Sequence, residues 1–278
     1  MLASTALAEA QDSLASAGIT SAKAESEILL SYFLGISRGE LAGRMFLNPD
    51  LLVGEGFGDL VERRCTRIPL QHLLGTAPFR SIELKVGPGV FIPRPETEQV
   101  VQIAIDFLNL LPAEPTALDI GTGSGAIALA IATETNAIVT AIEISEEAAA
   151  FAAENFANLN ANITLIIGNF LESLEDLPTF DLVISNPPYI PNNMVPIDPE
   201  VRDHDPGLAL YGGEDGLDVI RDLASGVKLA LREGGLFVLE HADGQSDVIC
   251  ELLLENNWRS VQVHPDPTGR LRAVSAIR

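Results

Sequence analysis

The chain has 278 residues, of which 47% are hydrophobic, and it carries a formal net charge of −22. A chain of this length and hydrophobic content can form one large or two unequal domains with a substantial core. Residues 1–95 contain nine Lys or Arg and ten Asp or Glu, whereas residues 96–278 contain eight against 29. Nucleic-acid binding ordinarily relies on surplus Lys and Arg, so this negative charge argues against direct contact with nucleic acid. The charge is compatible with an enzyme and with a protein partner.

Membrane, targeting and metal-binding signals are missing from the sequence. No stretch approaches the ~18 uninterrupted apolar residues of a membrane-spanning helix. A secretory signal begins with basic residues followed by an apolar run, and the first ten residues contain no basic residue. Cys65 and Cys250 lack the spacing of metal ligands, so two reduced thiols are expected. We therefore expect a cytoplasmic monomer that contacts no membrane and holds no metal.

The N-terminal part of the sequence has a helical pattern. Between Thr5 and Gly43 apolar residues recur at steps of three and four, and a third helix is predicted from about Gly58 to Thr66. Residues 1–75 are therefore predicted to form a small helical domain. Residues 76–95 contain short extended pieces among six Pro and Gly residues, which predicts a connector of defined shape.

From residue 96 onward, predicted strands alternate with predicted helices. We predict strands at Ala117–Ile120, Ala137–Glu143, Ile163–Ile167, Asp181–Ser185, Leu236–Glu240, Val261–His264 and Ala273–Ile277. Helices are predicted at Ser124–Thr133, Ser145–Leu159 and Gly216–Leu231. Such alternation indicates a parallel, doubly wound sheet, and the last two strands, with no predicted helix between them, should form an antiparallel hairpin at one edge. Residues 96–278 are thus predicted to form a seven-stranded Rossmann-like α/β domain.

A glycine-rich turn follows the first predicted strand, in the sequence Asp119-Ile120-Gly121-Thr122-Gly123-Ser124-Gly125. Glycines permit a tight turn and close approach of the backbone to a ligand, next to the free amides of a helix N-terminus. The spacing differs from the Gly-x-Gly-x-x-Gly of dinucleotide sites, and no Lys-Ser/Thr follows to hold a triphosphate. The pattern suits S-adenosylmethionine, whose charges are an ammonium, a carboxylate and a sulfonium.

Two later strand ends supply further candidate contacts to this cofactor. Glu143 ends the second strand, where a carboxylate can accept hydrogen bonds from two ribose hydroxyls. The third strand ends in Gly168-Asn169-Phe170, which would place a polar group and an aromatic ring beside an adenine. Ordinary core packing is the alternative for Phe170.

The fourth predicted strand runs directly into Asn186-Pro187-Pro188-Tyr189. Ligands of open α/β sheets bind at the carboxyl ends of the strands, so this loop is expected beside the methyl donor. An amide nitrogen is a weak nucleophile because its lone pair is delocalised. The Asn186 side-chain oxygen and the Pro187 carbonyl can accept its N–H groups, and Tyr189 can stack on the planar group, so that catalysis is mainly positioning. The tetrapeptide predicts methyl transfer to a planar amide or amino nitrogen.

Nearly the whole chain resembles the glutamine-amide methyltransferases of peptide chain release factors. The resemblance includes the helical N-terminal part and the segments Arg64–Gly75, Phe91–Glu98, Asp119–Gly125, Asn186–Tyr189, Leu239–His241 and Gly269–Arg272. It implies a class I methyltransferase fold and S-adenosylmethionine as methyl donor, released as S-adenosylhomocysteine. It also implies that the methylated residue is the glutamine of the Gly-Gly-Gln loop of release factors.

The resemblance also implies roles for individual residues. The residues that would contact the methyl donor are Gly121, Thr122, Gly123, Ser124, Gly125, Glu143, Phe170 and Asn186. The residues that would hold the glutamine are Asn186, Pro187, Pro188 and Tyr189, with Asn186, Pro187 and Tyr189 as the catalytic set. Arg94 would border the site. The sequence departs from the family at Glu143, where Asp is usual, and at Asn169, where an acid is common.

Two other substrates fit the same tetrapeptide. One is a glutamine of a ribosomal protein, and the other is an adenine amine flipped out of DNA. The DNA alternative requires a basic surface, whereas this chain has a pI of about 4.4. Because one glutamine side chain offers little surface for selection, residues 1–75, including Arg63, Arg64 and Arg67, are expected to help dock the release factor.

Overall fold

In a computed structural model, which describes residues 1–112 and 114–278, the chain forms two compact units. The helical unit consists of Met1–Thr76 and of a returning segment, Ile197–His204. The sheet unit consists of Ala77–Pro196 and Asp205–Arg278. The polypeptide therefore passes from one unit to the other three times.

The N-terminal part of the helical unit contains five helices. They are α1 (Ala3–Ser16), α2 (Ala22–Leu34), α3 (Arg38–Leu47), α4 (Phe57–Cys65) and α5 (Leu70–Leu74). Their apolar faces pack around Leu14, Leu29 and Leu30, which are fully buried. The predicted third helix corresponds to α4. The prediction missed α5, because a five-residue helix is too short to display a 3.6-residue period.

The rest of the chain alternates strands and helices. The elements up to the fourth strand of the sequence prediction are β1 (Thr76–Phe79), β2 (Ile82–Lys85), α6 (Pro95–Leu108), β3 (Thr116–Ile120), α7 (Ala126–Glu134), β4 (Ile138–Glu143), α8 (Glu146–Asn158), β5 (Ile163–Ile167), α9 (Phe170–Ser173) and β6 (Phe180–Ser185). They are followed by α10 (Pro199–His204, in the returning segment), α11 (Gly207–Leu210), α12 (Asp218–Gly226), β7 (Leu231–Glu240), α13 (Ser246–Glu255), β8 (Arg259–Pro265) and β9 (Leu271–Ile277).

Seven strands form one sheet in the order β5-β4-β3-β6-β7-β9-β8, while β1 and β2 form a separate two-stranded sheet. Strands β3 to β7 are parallel, and β9 is antiparallel to both β7 and β8. The predicted doubly wound Rossmann-like fold, its seven strands and its antiparallel edge are therefore confirmed. Two apolar cores cover the two faces of this sheet, one built largely with α6, α7 and α8 and the other with α12 and α13.

Several element boundaries differ from the prediction. Strand β7 begins at Leu231, five residues before the predicted start, because the exposed residues Arg232, Glu233 and Gly234 interrupt its apolar pattern. Helix α6, which begins with Pro95 at its first turn, and α13 were not predicted. Helix α7 begins two residues later than predicted, because Gly125 has a positive φ of 85° that ends the loop there.

Membrane and metal features can be checked in the described ranges 1–112 and 114–278. None of the helices there is both long and apolar enough to span a membrane. The same residues contain no group of three or more His, Cys, Asp or Glu side chains placed to share a metal ion. Cys65 and Cys250 are free thiols.

Candidate functional site

A cleft of about 280 Å³ opens at the carboxyl ends of β3, β4 and β6 in the sheet unit. The predicted site residues that line it are Gly121, Gly123, Glu143, Phe170, Asn186, Pro187 and Pro188. Apolar side chains that were not singled out also line it, namely Phe91, Ile144, Leu171 and Leu208. The structure therefore brings the glycine loop and the Asn-Pro-Pro sequence to one cleft, at the position where α/β sheets bind ligands.

The glycines of the loop have two different functions. Gly121 and Gly123 have positive φ angles of 73° and 57°, and a Cβ atom on either would meet nothing within 4 Å. A Cβ on Gly125 would instead lie 2.5 Å from the Phe156 ring. The first two glycines therefore leave open space for a ligand beside the backbone, whereas the third permits close packing of helix and sheet.

Asp119 is buried beneath the glycine loop and accepts hydrogen bonds from it and from the helix that follows. Its Oδ2 accepts hydrogen bonds from Thr122 Oγ1 (2.6 Å) and from Ala128 N (3.1 Å), while its Oδ1 has no partner among the described residues. Burial raises the pKa of this carboxyl to about 7. Thr122 and Ser124 are buried, and they and Gly125 do not line the cleft. We conclude that these three residues shape the loop from behind.

Glu143 joins the glycine loop to the loop that follows β4. Its Oε2 accepts from Gly123 N (2.7 Å), and its Oε1 accepts from Ser145 N (2.9 Å). A carboxylate oxygen can accept more than one hydrogen bond, so these contacts leave capacity for hydroxyl groups in the cleft. Nearby, Asn169 caps α9 through a bond from Leu171 N, and the Phe170 ring lines the cleft and also packs against one core.

The Asn-Pro-Pro-Tyr tetrapeptide begins at a fixed point. Ser185 Oγ donates to Ile120 O at 2.8 Å, which ties the end of β6 to the end of β3. Asn186 Nδ2 donates to Thr97 Oγ1 at 3.4 Å. Tyr189 does not line the cleft: its ring packs against one core, and burial raises the pKa of its hydroxyl. The tyrosine therefore stays protonated.

The backbone of the tetrapeptide packs closely against two glycines and accepts a hydrogen bond from a glutamine. A Cβ on Gly212 would lie 2.5 Å from Pro188 O, and a Cβ on Gly216 would lie 2.3 Å from Tyr189 O. Gln245 Nε2 donates to Tyr189 O at 3.1 Å. These residues were missed, although the run Tyr211-Gly-Gly-Glu-Asp-Gly216 carried a signal, since such glycines often mark close backbone approach.

Two further residues of the resemblance, Arg94 and His241, do not line the cleft. Arg94 forms an ion pair with Asp205 (Nη2 to Oδ2, 2.5 Å) and lies 4.8 Å from the ring centroid of Phe91, which lines the cleft. His241 is fully buried, and burial lowers its pKa. Its Nδ1 lies 2.8 Å from Ala242 O, in accordance with a structural histidine.

The arginines expected to dock a partner are not a surface cluster. Arg64 is only 4% exposed, its Nε donates to Glu25 Oε2 at 2.6 Å, and its Nη2 pairs with Glu200 Oε1 at 2.8 Å. Arg67 pairs with the same Glu200. Of the three, only Arg63 is exposed. The prediction is wrong for Arg64, which is buried against the returning segment, whereas Arg67 is half-buried and its docking role stays a prediction.

Comparisons with known proteins cover both units. The family model "PrmC N-terminal domain" matches residues 5–75, and "Methyltransferase small domain" matches residues 82–196. A protein named "Release factor glutamine methyltransferase" from Streptomyces coelicolor is 44% identical, over 97% of this chain and 96% of its own length. One of the same name from Deinococcus radiodurans is 39% identical, over 98% and 97%. A methyltransferase structure from Pyrococcus furiosus (TM-score 0.53, 23% identity, 70% of this chain and 87% of that one) supports the fold alone.

Proposed function

The chain belongs to the release factor glutamine methyltransferase family and is an S-adenosylmethionine-dependent methyltransferase, and on that premise we propose that it methylates a glutamine of a peptide chain release factor. The acceptor would be the side-chain amide nitrogen in the Gly-Gly-Gln loop. One observation carries the proposal: Gly121, Gly123 and Glu143 line the same cleft as Asn186 and Pro187.

The residues of the cleft fit the methyl donor. The open space beside Gly121 and Gly123 suits a ligand that approaches the backbone, the Glu143 carboxylate suits hydroxyl groups, and Phe170 suits a flat ring. When bound, S-adenosylmethionine supplies an electrophilic methyl group on a sulfonium. Thr122, Ser124 and Gly125 would support this site by fixing the shape of the loop.

The tetrapeptide would act on the acceptor amide. Because Asn186 Nδ2 donates to Thr97, the Asn186 Oδ1 can accept one N–H of the substrate amide, and the Pro187 carbonyl can accept the other. Two acceptors would orient the nitrogen and place electron density on it, so that a nitrogen–carbon bond can form as the methyl–sulfur bond breaks and a neutral thioether leaves. The nitrogen then loses a proton to water. Stacking by Tyr189 stays a prediction, since its ring packs against one core here.

A mass-spectrometric experiment tests the substrate. The full chain is incubated with an intact release factor and isotopically labelled S-adenosylmethionine, and the factor is then mapped by peptide. We expect one labelled methyl group on the Gly-Gly-Gln glutamine and none on a factor in which that glutamine is asparagine. A ribosomal-protein substrate and an adenine-containing DNA duplex are run in parallel, and faster methylation of either would overturn the proposal.

Substitution of Asn186 tests the mechanism. Asn186→Ala removes one of two preorganised acceptors, so we expect turnover to fall about 100-fold, corresponding to ~3 kcal/mol. Asn158→Ala is the matched control, because Asn158 is exposed and does not line the cleft. Turnover is measured as S-adenosylhomocysteine formed at saturating substrate. Near-normal turnover by Asn186→Ala would show that the amide is not held in this way.

We also propose that the helical unit helps select the release factor. Its exposed apolar side chains, rather than its arginines, support this: Phe46 and Leu47 are 85% and 83% exposed at the end of α3. Contacts far from the reacting amide can supply binding energy for orientation. We expect Phe46→Ser to raise the KM for the intact factor while leaving the KM for a free Gly-Gly-Gln peptide unchanged. Equal effects on both substrates would exclude a docking role.

We place the reaction in the cytoplasm, where release factors act in translation, and we expect a monomer. The net charge of −22 supports a protein acceptor rather than direct contact with nucleic acid. Sedimentation at micromolar concentration tests the monomer, and a dimer that persists on dilution would exclude it.

A further inference from the structure

A buried acidic residue lies at the end of the strand next to the tetrapeptide. Glu240 is the last residue of β7 and is 2% exposed. Its Oε2 has no hydrogen-bond partner in the residues that the structure describes. Burial raises the pKa of this carboxyl to about 7, while its interactions with the side chains of Thr97 and Asn186 lower it. Such a buried acid needs a reason, because an unpartnered carboxyl oxygen is unfavourable in a core.

The register of the sheet brings Glu240 to Asn186. Strands β6 and β7 are parallel neighbours in which Ser185 is paired with Leu239. The next residue on β6 is Asn186, and the next on β7 is Glu240, so both follow the same rung of the ladder. Thr97, in the first turn of α6, completes the group and is 4% exposed. The arrangement is therefore set by the backbone of three elements.

A side-chain amide has two different ends, and only one of them suits the substrate. Its oxygen accepts hydrogen bonds and its nitrogen donates them, so an asparagine turned by 180° would present N–H to the N–H of the acceptor amide. Above its pKa of about 7 Glu240 is ionised, and an ionised carboxylate only accepts hydrogen bonds. Placed beside Asn186, Glu240 favours the orientation in which Nδ2 points inward and Oδ1 points to the cleft.

We propose that Glu240 is a positioning residue for methyl transfer: together with Thr97 it holds the Nδ2 end of Asn186, so that Oδ1 is presented to the acceptor amide. The inference rests on the proposed function, because it concerns the amide acceptor. It predicts that Glu240 acts on turnover through Asn186 and not through the methyl donor, since Glu240 does not line the cleft.

A double-mutant cycle tests this inference. We expect Glu240→Ala to lower kcat about 10- to 100-fold, as expected for a misplaced catalytic group. In the Asn186→Ala background, where there is no amide to position, the same substitution should change kcat by less than about threefold. Glu240→Gln should keep most of the activity, because its Oε1 can still accept from Nδ2. Adding Glu240→Ala should leave the dissociation constant for S-adenosylmethionine, measured by calorimetry, unchanged in the wild-type background and in the Asn186→Ala background.

Two controls make the outcome decisive. Asp181→Asn removes another buried carboxylate, at the opposite end of the same sheet. In a cycle with Asn186→Ala, the effects of the two substitutions on kcat should be additive. If Glu240→Ala does not fold, Thr97→Val replaces it, with an expected loss of about tenfold in kcat. Equal losses in both backgrounds would refute positioning through Asn186. If the wild-type protein does not methylate the release factor, the proposed function fails; if it does and no coupling is found, only this inference fails.

Discussion

The buried acidic side chains of the helical unit and those under the candidate site of the sheet unit have different partners. In the helical unit, Glu25 and Glu200 share the buried Arg64, and Arg67 adds a second cation to Glu200. In the sheet unit, Asp119 and Glu240 are each buried with one oxygen unpartnered, and within the described residues neither has an ion pair with a cation. Elsewhere in the sheet unit buried acids are also paired with arginine, as Asp205 is with Arg94 and Asp181 is with Arg232, so the unpaired acids are a feature of the candidate site and not of the whole unit.

The protonation of these acids shows the difference. Burial favours the neutral form of Glu200, but the hydrogen bonds from Arg67, Asp198 and Arg64 outweigh it and lower its pKa to about 2. Burial raises the pKa of Asp119 and of Glu240 to about 7, in Glu240 against a smaller opposing effect of the Arg272 charge. The paired acids serve architecture, whereas the unpaired ones lie under the glycine loop and under the tetrapeptide. Unfavourable burial is concentrated at the functional end of the sheet, as expected for sites selected for chemistry.

The largest expected effect comes from removing the shared cation. Arg64→Met keeps much of the buried volume but leaves Glu25 and Glu200 facing each other without Arg64 between them. Removing one partner of a buried ion pair costs about 3 to 5 kcal/mol, so we expect a loss of this size in the free energy of unfolding in urea. Arg63→Met, on the exposed side of the same helix, is the control and should change little. Equal losses for Arg64→Met and Arg63→Met would mean that the ion pairs of Arg64 do not stabilise the fold.

A smaller effect, of opposite sign, is expected at Asp119. Its folded pKa of about 7 exceeds its unfolded value of 3.8, so the charge destabilises the protein progressively from about pH 4 to pH 7 and fully above that. Asp119→Asn keeps an acceptor for Thr122 and Ala128 and cannot ionise. The unpartnered N–H costs about 2 kcal/mol at both pH values, so we expect Asp119→Asn to stabilise the fold by about 2 kcal/mol at pH 8 and to destabilise it by about 2 kcal/mol at pH 4. Thermal unfolding of both proteins measures the effect of Asp119→Asn on stability at each pH. An equal effect at pH 8 and pH 4 would contradict a carboxyl that is charged at pH 8.

The smallest effect is expected at Glu200. Its folded pKa of about 2 lies below its unfolded value of 4.5, so its stabilising contribution is present above about pH 4.5 and is lost as the pH falls towards 2. Glu200→Gln leaves Arg64 with Glu25, and we expect a loss of about 1 kcal/mol at pH 7 that disappears near pH 2. Glu62→Gln, an exposed acid on α4, is the comparison. A loss that persists unchanged at low pH would indicate packing rather than charge.

The sequence was sufficient to predict the parts of the site that are local in the chain. A glycine loop after one strand and Asn186-Pro187-Pro188 after another identify their positions, because parallel strands bring their carboxyl ends to one edge. The comparisons confirm the family that these motifs resemble. Glu143 and Phe170 also line the cleft, as their strand ends suggested.

The features that were missed depend on partners that are distant in sequence. Arg64 has the local pattern of a solvated helix face, and its burial is explained by Glu200, which lies 136 residues further along the chain. Glu240 ends an apolar strand and would ordinarily be interpreted as a solvated end residue; its position is set by the register of β6 and β7. Neither case leaves a periodic signal, because ionic and hydrogen-bonded pairs do not repeat along a strand or helix.

The returning segment has a consequence for the order in which the protein is made. A ribosome releases Met1–Thr76 early, but Ile197–His204 emerges only after β3, β4, β5 and β6 have been synthesised. Until then Arg64 and Arg67 lack Glu200, so the N-terminal part of the helical unit waits as an incomplete intermediate on the nascent chain. The helical unit is therefore begun first and completed late. We expect proteolysis to cut its N-terminal part faster in a nascent chain stalled before residue 197 than in a longer one whose residues 197–204 have left the exit tunnel.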